Sequence, residues 1–598
     1  MTADGRTDRS AGGRAGRAGR AGRAGRAGRA GRAGRAGRGT GRAGPRSHRR
    51  RSRLRGRRPL LAFLLAAFLL VGVCVGAGIA WQPFRAAAGQ DGAAPGAGVP
   101  RPTAPPAPPA SADPTGATGS PGPGTSAPTA PAPAPARGTA GARPAGALPF
   151  DLPEPAALRS AAAGGKLVFA HYFTPYPLSL DNASADADYY TRNYLDPAGE
   201  NGKHERYGGL LRDRPLPVPP KGGDWEYANL QQEVRTARDA GLDGFTLDLL
   251  SLTGKNRERA DLLMKAAHAV DPAFRIMLMP DMTSLRTEDP AVLADALAAL
   301  AQAPAAHRLG DGRLVVSPFK AEEKDPAWWS RVLDTLRGRY GVRTAFVPLF
   351  LDFDAHNTAF APISYGFSEW GSRSYVGQEG ATAAVERSHG LGKIWMQPVS
   401  VQDARPNQGV YDEAGNTATL RATWTRAIDD GADWVQLTTW NDYSEGSQFA
   451  PSQHNGYAYL DLSSYYLTRF KTGRWPPIVR DTLYLTSRTQ YAAADPTGSQ
   501  SLLMSPRKGG AAPRDTVEVL SFLTEPATVR TCVGPVEGGH EAPAGVHARL
   551  LPLEPGTSSA QVVRDGTAGA GVELPYRVDP AVRVQDLQYY AASSGRGA

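Results

Sequence analysis

Ala240-Gly241-Leu242-Asp243-Gly244-Phe245-Thr246-Leu247-Asp248-Leu249 is the stretch that decides the fold. A helical stretch, 227–240, runs into the tight turn Gly241-Leu242-Asp243-Gly244, and the apolar run 244–249 leaves it as a buried strand. Working outward, the same unit recurs. Strands are predicted at 167–173, 275–280, 313–318, 344–351, 363–367, 393–399 and 434–439, with helices at 256–270, 290–303, 326–340, 380–388 and 418–430. Near-continuous apolar strands alternating with helices predict an α/β fold, a closed (β/α)8 TIM-type barrel over 150–478. No glycine-rich phosphate loop follows any strand, which argues against a doubly wound open sheet. From 479 to 598 the pattern becomes short alternating runs (483–485, 517–522, 527–533, 546–551, 560–563, 572–576) divided by Pro and Gly. That predicts a C-terminal β-sandwich, serving either to bind polysaccharide or to seal the barrel.

The part before residue 150 has a different composition. Residues 1–58 hold 20 Arg against Asp4 and Asp8, so of the overall +11 the remaining chain carries −7. An acidic body excludes a nucleic-acid-binding face. Arg-Ala-Gly repeats eight times over 14–37, a composition that predicts a disordered cytoplasmic tail attracted to anionic lipid. The 21 uncharged residues from Leu60 to Ala80 are long enough to span a bilayer, giving one transmembrane helix over 59–81. The arginines before it place the N-terminus inside and the body outside, a single-pass protein of the cell membrane. Gly78-Ile79-Ala80 leaves open a cleaved signal and a secreted product. Residues 82–149, rich in Pro, Ala and Gly, read as an extended linker. Only Cys74 and Cys532 occur, so no disulfide within the body and no Cys-based metal site is expected.

In barrels the reactive groups gather at the C-terminal ends of the strands. Those ends supply His171 and Tyr172, Asp248, Asp281, Asp352 with Asp354, Glu369 with Trp370, Gln397 with Gln402 and Asp403, and Trp440-Asn441-Asp442-Tyr443-Ser444-Glu445. Acids, amides and aromatics with little positive charge suit a neutral polyhydroxylated ligand. Asp442 and Glu445 are candidate catalytic residues, because glycosidic cleavage needs one carboxyl to protonate the departing oxygen and another to activate water or attack carbon. His171, Tyr172, Asp248, Asp281, Glu369, Trp370, Gln397, Trp440, Asn441 and Tyr443 are candidate substrate contacts. Structural readings stand beside these. Asp442 and Glu445 form a capping box if a helix starts near Tyr443. Asp248 and Asp281 can cap helices, Asp352 and Asp354 can hold a cation, and Trp395 and Trp440 can be packing.

At Val168-Phe169-Ala170-His171-Tyr172-Phe173, Ala240-Gly241-Leu242-Asp243-Gly244-Phe245, Phe367-Ser368-Glu369-Trp370-Gly371, Met396-Gln397-Pro398-Val399-Ser400 and Trp440-Asn441-Asp442-Tyr443-Ser444-Glu445 the chain resembles glycoside hydrolase family 71, the α-1,3-glucanases or mutanases. The resemblance covers about residues 165–475 in the family's order, and the family's β-sandwich tail is similar to 480–598. It implies an inverting barrel hydrolase of α-1,3-glucan or a related α-glucan, without metal or organic cofactor, its acid and base at Asp442 and Glu445. Glu445 is favoured as the acid and Asp442 as the base, with the reverse assignment left open by the sequence. Two positions depart from the family pattern: Ser444 replaces a usual Gly, and Gly446 a usual Ser. The Ala/Gly/Arg-rich composition suggests a GC-rich, actinobacterial-type source. A catalytically silent polysaccharide-binding or wall-anchoring protein on the same barrel is the alternative.

Overall fold

The computed structural model describes residues 148–378 and 383–596. The predicted tail, transmembrane segment and linker up to residue 147 lie outside the described residues, as do 380–382 of the predicted helix 380–388. Among the described residues no helix is long and apolar enough to cross a membrane.

The fold is mixed α/β. In chain order the strands of its first part are β1 (Leu167–Tyr172), β2 (Gly244–Leu249), β3 (Arg275–Pro280), β4 (Leu314–Val316), β5 (Thr344–Phe346), β6 (Leu349–Phe350), β7 (Gly366–Glu369), β8 (Ile394–Val399), β9 (Asp403–Arg405), β10 (Val410–Asp412) and β11 (Trp434–Leu437). Nine of them form one parallel sheet in the order β5-β4-β3-β2-β1-β11-β8-β7-β6. The predicted strand 344–351 is two pieces, because Pro348 has no N–H to give the ladder. On one side of it Val347 and Leu349 donate to Val316 O and Pro318 O at 2.9 and 3.0 Å. On the other, Tyr365 and Ser368 donate to Phe346 O and Pro348 O at 2.7 and 3.0 Å. The two ends of the strand order are thus successive pieces of one extended segment.

Helices follow the strands at Trp225–Asp239, Gly254–Val270, Pro290–Leu300, Pro326–Tyr340, Phe353–Phe360, Ala384–Gly390, Ala418–Asp429 and Ala458–Thr472. Asp289-Pro290 and Asp325-Pro326 show why two of them start where they do. The aspartate accepts a backbone N–H of the first turn, and proline at the first helical position gives up no bond. The predicted strand 363–367 moves to Gly366–Glu369, since Ala361–Ile363 is a single 3-10 turn around Pro362. Helices Phe353–Phe360 and Ala458–Thr472 were not among the predicted elements. Phe150 pairs with Ile478, so the two ends of the α/β part meet.

Beyond it lie β12 (Thr482–Ser487), β13 (Ser505–Pro506), β14 (Thr516–Leu523), β15 (Ala527–Val533), β16 (Val536–Ala542), β17 (Gly545–Pro552), β18 (Ser558–Arg564), β19 (Thr567–Glu573) and β20 (Tyr590–Ser593). They form two antiparallel sheets, β17-β14-β12-β20 and β16-β15-β18-β19. Leu483, Val517 and Val519 of the first share one buried cluster with Val529, Ala560 and Val562 of the second. β13 instead joins β10 and β9 in a three-stranded sheet, tying this region to the loop after β8.

Candidate active site

Successive residues of a strand face opposite sides of its sheet. Phe169, Met277, Val315, Ala345, Val347, Met396 and Trp434 form one small buried cluster. Their neighbours Val168, Ala170, Ile276, Val316, Phe346, Trp395 and Val435 belong to the large core shared with the helices. The first set defines the inner face. Two residues beyond Phe169 on that face stands His171, and β2 brings Asp248 beside it, with His171 Nε2 3.5 Å from Asp248 Oδ2. His171 Nδ1 lies 3.2 Å from Met279 Sδ, and its ring meets Trp370 edge-on at 5.1 Å. The Arg373 guanidinium covers Trp370 at 4.6 Å from the ring centroid.

β11 leads into the segment that carries the carboxyl pair. Thr439 Oγ1 accepts from Asp442 N at 2.8 Å, and Asp442 Oδ1 accepts from Ser444 N and Ser444 Oγ at 3.0 and 2.6 Å. Residues 443–446 are a turn, so the capping-box helix is not formed. Gly446 sits at φ 62°, and a Cβ there would lie 2.2 Å from Gln588 Nε2. A glycine meets both demands. Glu445 turns toward the loop after β8: its O accepts from Ala404 N at 2.7 Å, and its Oε1 is 2.8 Å from Arg405 Nη1. Arg405 is gripped by Asp403 through Nε–Oδ1 at 2.6 Å and Nη2–Oδ2 at 2.5 Å. Arg373 donates to Thr438 O at 3.0 Å and stands 3.9 Å from both Asp403 Oδ2 and Glu445 Oε2. Glu445 Oε2, Asp248 Oδ1, Arg373 Nε and Arg373 Nη2 are buried without a hydrogen-bond partner.

These contacts set the charges. Burial raises Asp248 well above the carboxylate range, and the Asp281 and Asp442 charges add to it. Asp442 is raised by burial, against the Ser444 hydrogen bond and the Arg405 and His171 charges. Burial also raises Glu445, against the pull of the Arg405 and Arg373 charges and with the Asp442 and Asp403 charges adding to it. Asp403 is lowered: burial opposes ionisation, but the Arg405 charge and hydrogen bonds and the Arg373 charge prevail. His171 falls to about 4 through burial, so its imidazole is neutral. The arrangement offers protonated and ionised carboxyls side by side, beside aromatic and cationic groups and the Ser444 hydroxyl bonded to Asp442.

The model of glycosyl hydrolase family 71 matches residues 221–574, which is more than half of the sequence. The chain belongs to glycosyl hydrolase family 71. It is therefore a glycoside hydrolase. Among curated relatives of this family member, "Glucan endo-1,3-alpha-glucosidase agn1" of Schizosaccharomyces pombe is 24% identical over 381 residues, covering 58% of this chain and 87% of that protein. "Mutanase Pc12g07500" of Penicillium rubens is 25% identical over 374 residues, covering 57% and 80% respectively. A solved GH99 endo-alpha-mannosidase from Bacteroides thetaiotaomicron superposes with a TM-score of 0.40 at 14% identity, over 51% of this chain and 98% of that one, a likeness too distant to bear on function.

Within this family 71 chain the expected site residues divide. His171, Asp248, Trp370, Asp442 and Glu445 are brought together on the inner face. Tyr172, Glu369, Gln397 and Trp440 are not brought there: alternation puts the first three on the helix side, and Trp440, beyond the end of β11, turns into the large core shared with the helices. Tyr172 OH donates to Glu233 Oε2 at 2.7 Å. Gln397 Oε1 accepts from Trp395 Nε1 at 2.7 Å. Glu369 follows the core residue Phe367 by two and feels Arg426, Asp354 and Asp352. Trp440 packs on Phe245 at 5.1 Å. Asp281 is a cap, with Oδ1 accepting from Thr283 N, Ser284 N and Thr283 Oγ1 and Oδ2 from Ser284 Oγ. Asn441 clamps the exit of β1, taking Phe173 N and giving to Phe173 O and Tyr176 O. Tyr443 is buried with Tyr176, Tyr190 and Leu211. Asp352 caps the helix Phe353–Phe360 and Asp354 pairs with Arg387. Gln402 binds the backbone of Tyr589. The expectation of little positive charge missed Arg373 and Arg405. Asp403-Ala404-Arg405, acid and base two apart on one face of a short strand, was the available signal.

Proposed function

We propose that this family 71 hydrolase cleaves α-1,3-glucan, with Glu445 as general acid and Asp442 as general base of an inverting reaction. In the same reading the nine-stranded sheet is a closed (β/α)8 barrel, because its first and last strands are successive pieces of one segment. Its C-terminal sheets form a β-sandwich. The substrate assignment is supported by the relatives, a glucan endo-1,3-alpha-glucosidase and a mutanase. The residue roles rest on one observation, the charge balance around the pair. Arg373 and Arg405 supply two positive charges, and Asp403 neutralises one. Asp248 is held neutral by burial. One ionised and one protonated carboxyl at Asp442 and Glu445 then make the cluster neutral, which is the state an acid–base pair requires. Asp442 Oδ1 already receives two hydrogen bonds, which favour its ionised form. Glu445 Oε2, buried and without a partner, is the seat for the proton.

The proton leaves Oε2 for the departing glycosidic oxygen, while Asp442 takes a proton from the water that attacks the anomeric carbon on the opposite face. We place the enzyme outside the cell, tethered through 59–81, on sequence alone; sedimentation of activity with membranes after a high-salt wash tests the tether. Purified α-1,3-glucan tests the reaction. Reducing ends should appear, and proton NMR of the first product should show the β-anomer. Binding without new reducing ends would sink the hydrolase assignment to this substrate, and an α-anomer would sink inversion.

A further inference from the structure

Arg405 is the group in direct ionic contact with Glu445, and neither the family match nor the relatives' names assign it a role. Its seat is built in three ways. Asp403 holds both edges of the guanidinium, at 2.6 and 2.5 Å. β9 carries both residues and pairs with β10, Asp403 opposite Asp412 and Arg405 opposite Val410. The same strand bonds the Glu445 backbone through Ala404 N. The charged groups facing the Glu445 side chain are Arg405 and Asp403 from β9, Arg373 from the loop after β7, and Asp442 from its own turn. Arg405 alone among these approaches one carboxyl oxygen closely, 2.8 Å from Oε1. The other cation stands 3.9 Å from Oε2.

We infer that Arg405, seated by Asp403, is a positioning residue that keeps the Glu445 proton off Oε1 and so restricts it to Oε2. A guanidinium against one oxygen of a carboxyl favours negative charge there and disfavours a proton on it. The neutral acid then presents its O–H from one defined atom. The inference rests on the acid role given to Glu445 above.

Removing the cation raises the pKa of the acid it faces, typically by about 1–3 units for a charge within contact distance. In Arg405→Met the alkaline limb of the kcat/KM–pH profile should therefore move to higher pH by about one unit or more. kcat should fall on the order of 10²-fold, the usual cost of a misplaced reacting group, with KM within about threefold of the parent. Arg405→Lys keeps the charge without the fork. It should hold the limb near its original pH, with an intermediate kcat, and it stands in if Arg405→Met does not fold. In a Glu445→Gln background, Arg405→Met should cost little more, since residues acting through one another are not additive. An unmoved limb in Arg405→Met, or a full further loss in the double variant, would overturn the inference. If Glu445→Gln alone keeps near-normal turnover, the acid assignment has failed instead, and the two failures are told apart.

Discussion

The two faces of the nine-stranded sheet hold their polar residues in different ways. On the helix side polar groups meet in separate local contacts, Tyr172 with Glu233, Gln397 with Trp395 and Lys471 with Asp243 at 2.7 Å, while Asn229 and Trp440 Nε1 are buried there without a partner. On the inner face at the strand ends, the groups answer one another in a network that leaves atoms without partners, among them Glu445 Oε2, Asp248 Oδ1 and Arg373 Nη2. Buried polar atoms cost about 1–3 kcal/mol each when unpaired. At the strand ends the partnerless atoms belong to carboxyl and guanidinium groups gathered in one cluster, and the proposed acid–base pair draws on that feature. The C-terminal sheets support this face through Gln588, which fills the space beside Gly446, and Tyr589, which binds Gln402.

The comparison breaks first at the carboxyl pair. Asp442→Asn and Glu445→Gln should each cost about 10²–10⁴-fold in turnover of glucan, the worth of a positioned acid or base. Their profiles should differ on an aryl glycoside with a good leaving group, which needs little protonation. Glu445→Gln should recover much of its rate there, whereas Asp442→Asn should stay slow. Equal losses on both substrates would remove the separate roles.

The helix side should respond in stability. Glu233 is raised to about 8 by burial. A carboxyl whose folded pKa lies above its unfolded value stabilises the fold fully below about pH 4.3. That contribution is lost as the pH rises through about 8. Glu233→Gln cannot ionise, so its Tm should gain on the parent by a few degrees between about pH 6 and 9, with kcat within about threefold. Gln397→Ala should leave KM unchanged while costing about 1–3 kcal/mol, because Trp395 Nε1 loses its acceptor in the core. A raised KM in that variant would return Gln397 to the substrate.

These expectations mark how far the sequence carries. That Asp442 and Glu445 share one buried turn was legible, because two carboxyls three apart after an apolar strand lie close together whichever face the strand presents. The strand–helix alternation was legible from periodicity, and the Asp-Pro pairs mark helix starts directly. Which residue at a strand end faces inward was not, since a shift of one residue exchanges the faces. Tyr172 beside His171, and Glu369 beside Trp370, were misplaced for that reason. Arg373 comes from the loop after β7 and Arg405 from β9, a three-residue strand too short to show a period. The strand β16, Val-Glu-Gly-Gly-His-Glu-Ala, is mostly exposed and has almost no apolar pattern; pairing with β15 makes it a strand.

The smallest expected effect sharpens the roles within the pair. Ser444 donates both N–H and Oγ–H to Asp442 Oδ1, and only the hydroxyl is lost in Ser444→Ala. A hydrogen bond to the charged form of an acid lowers its pKa, so removing one raises it. The Asp442 carboxyl is already raised by burial, and this bond is the foremost force holding it down, ahead of the Arg405 and His171 charges. As the base, Asp442 must be ionised, and its pKa sets the acidic limb of the kcat/KM profile. Ser444→Ala should move that limb to higher pH by about half a unit to one unit, a loss of roughly 1 kcal/mol of stabilisation of the carboxylate. Turnover at the plateau should change by less than about fivefold, since geometry at Asp442 is kept by the Ser444 backbone and Thr439. A shift of the alkaline limb instead would mean that Asp442 carries the proton and Glu445 the charge. The Arg405 contact would then hold a base in its ionised form.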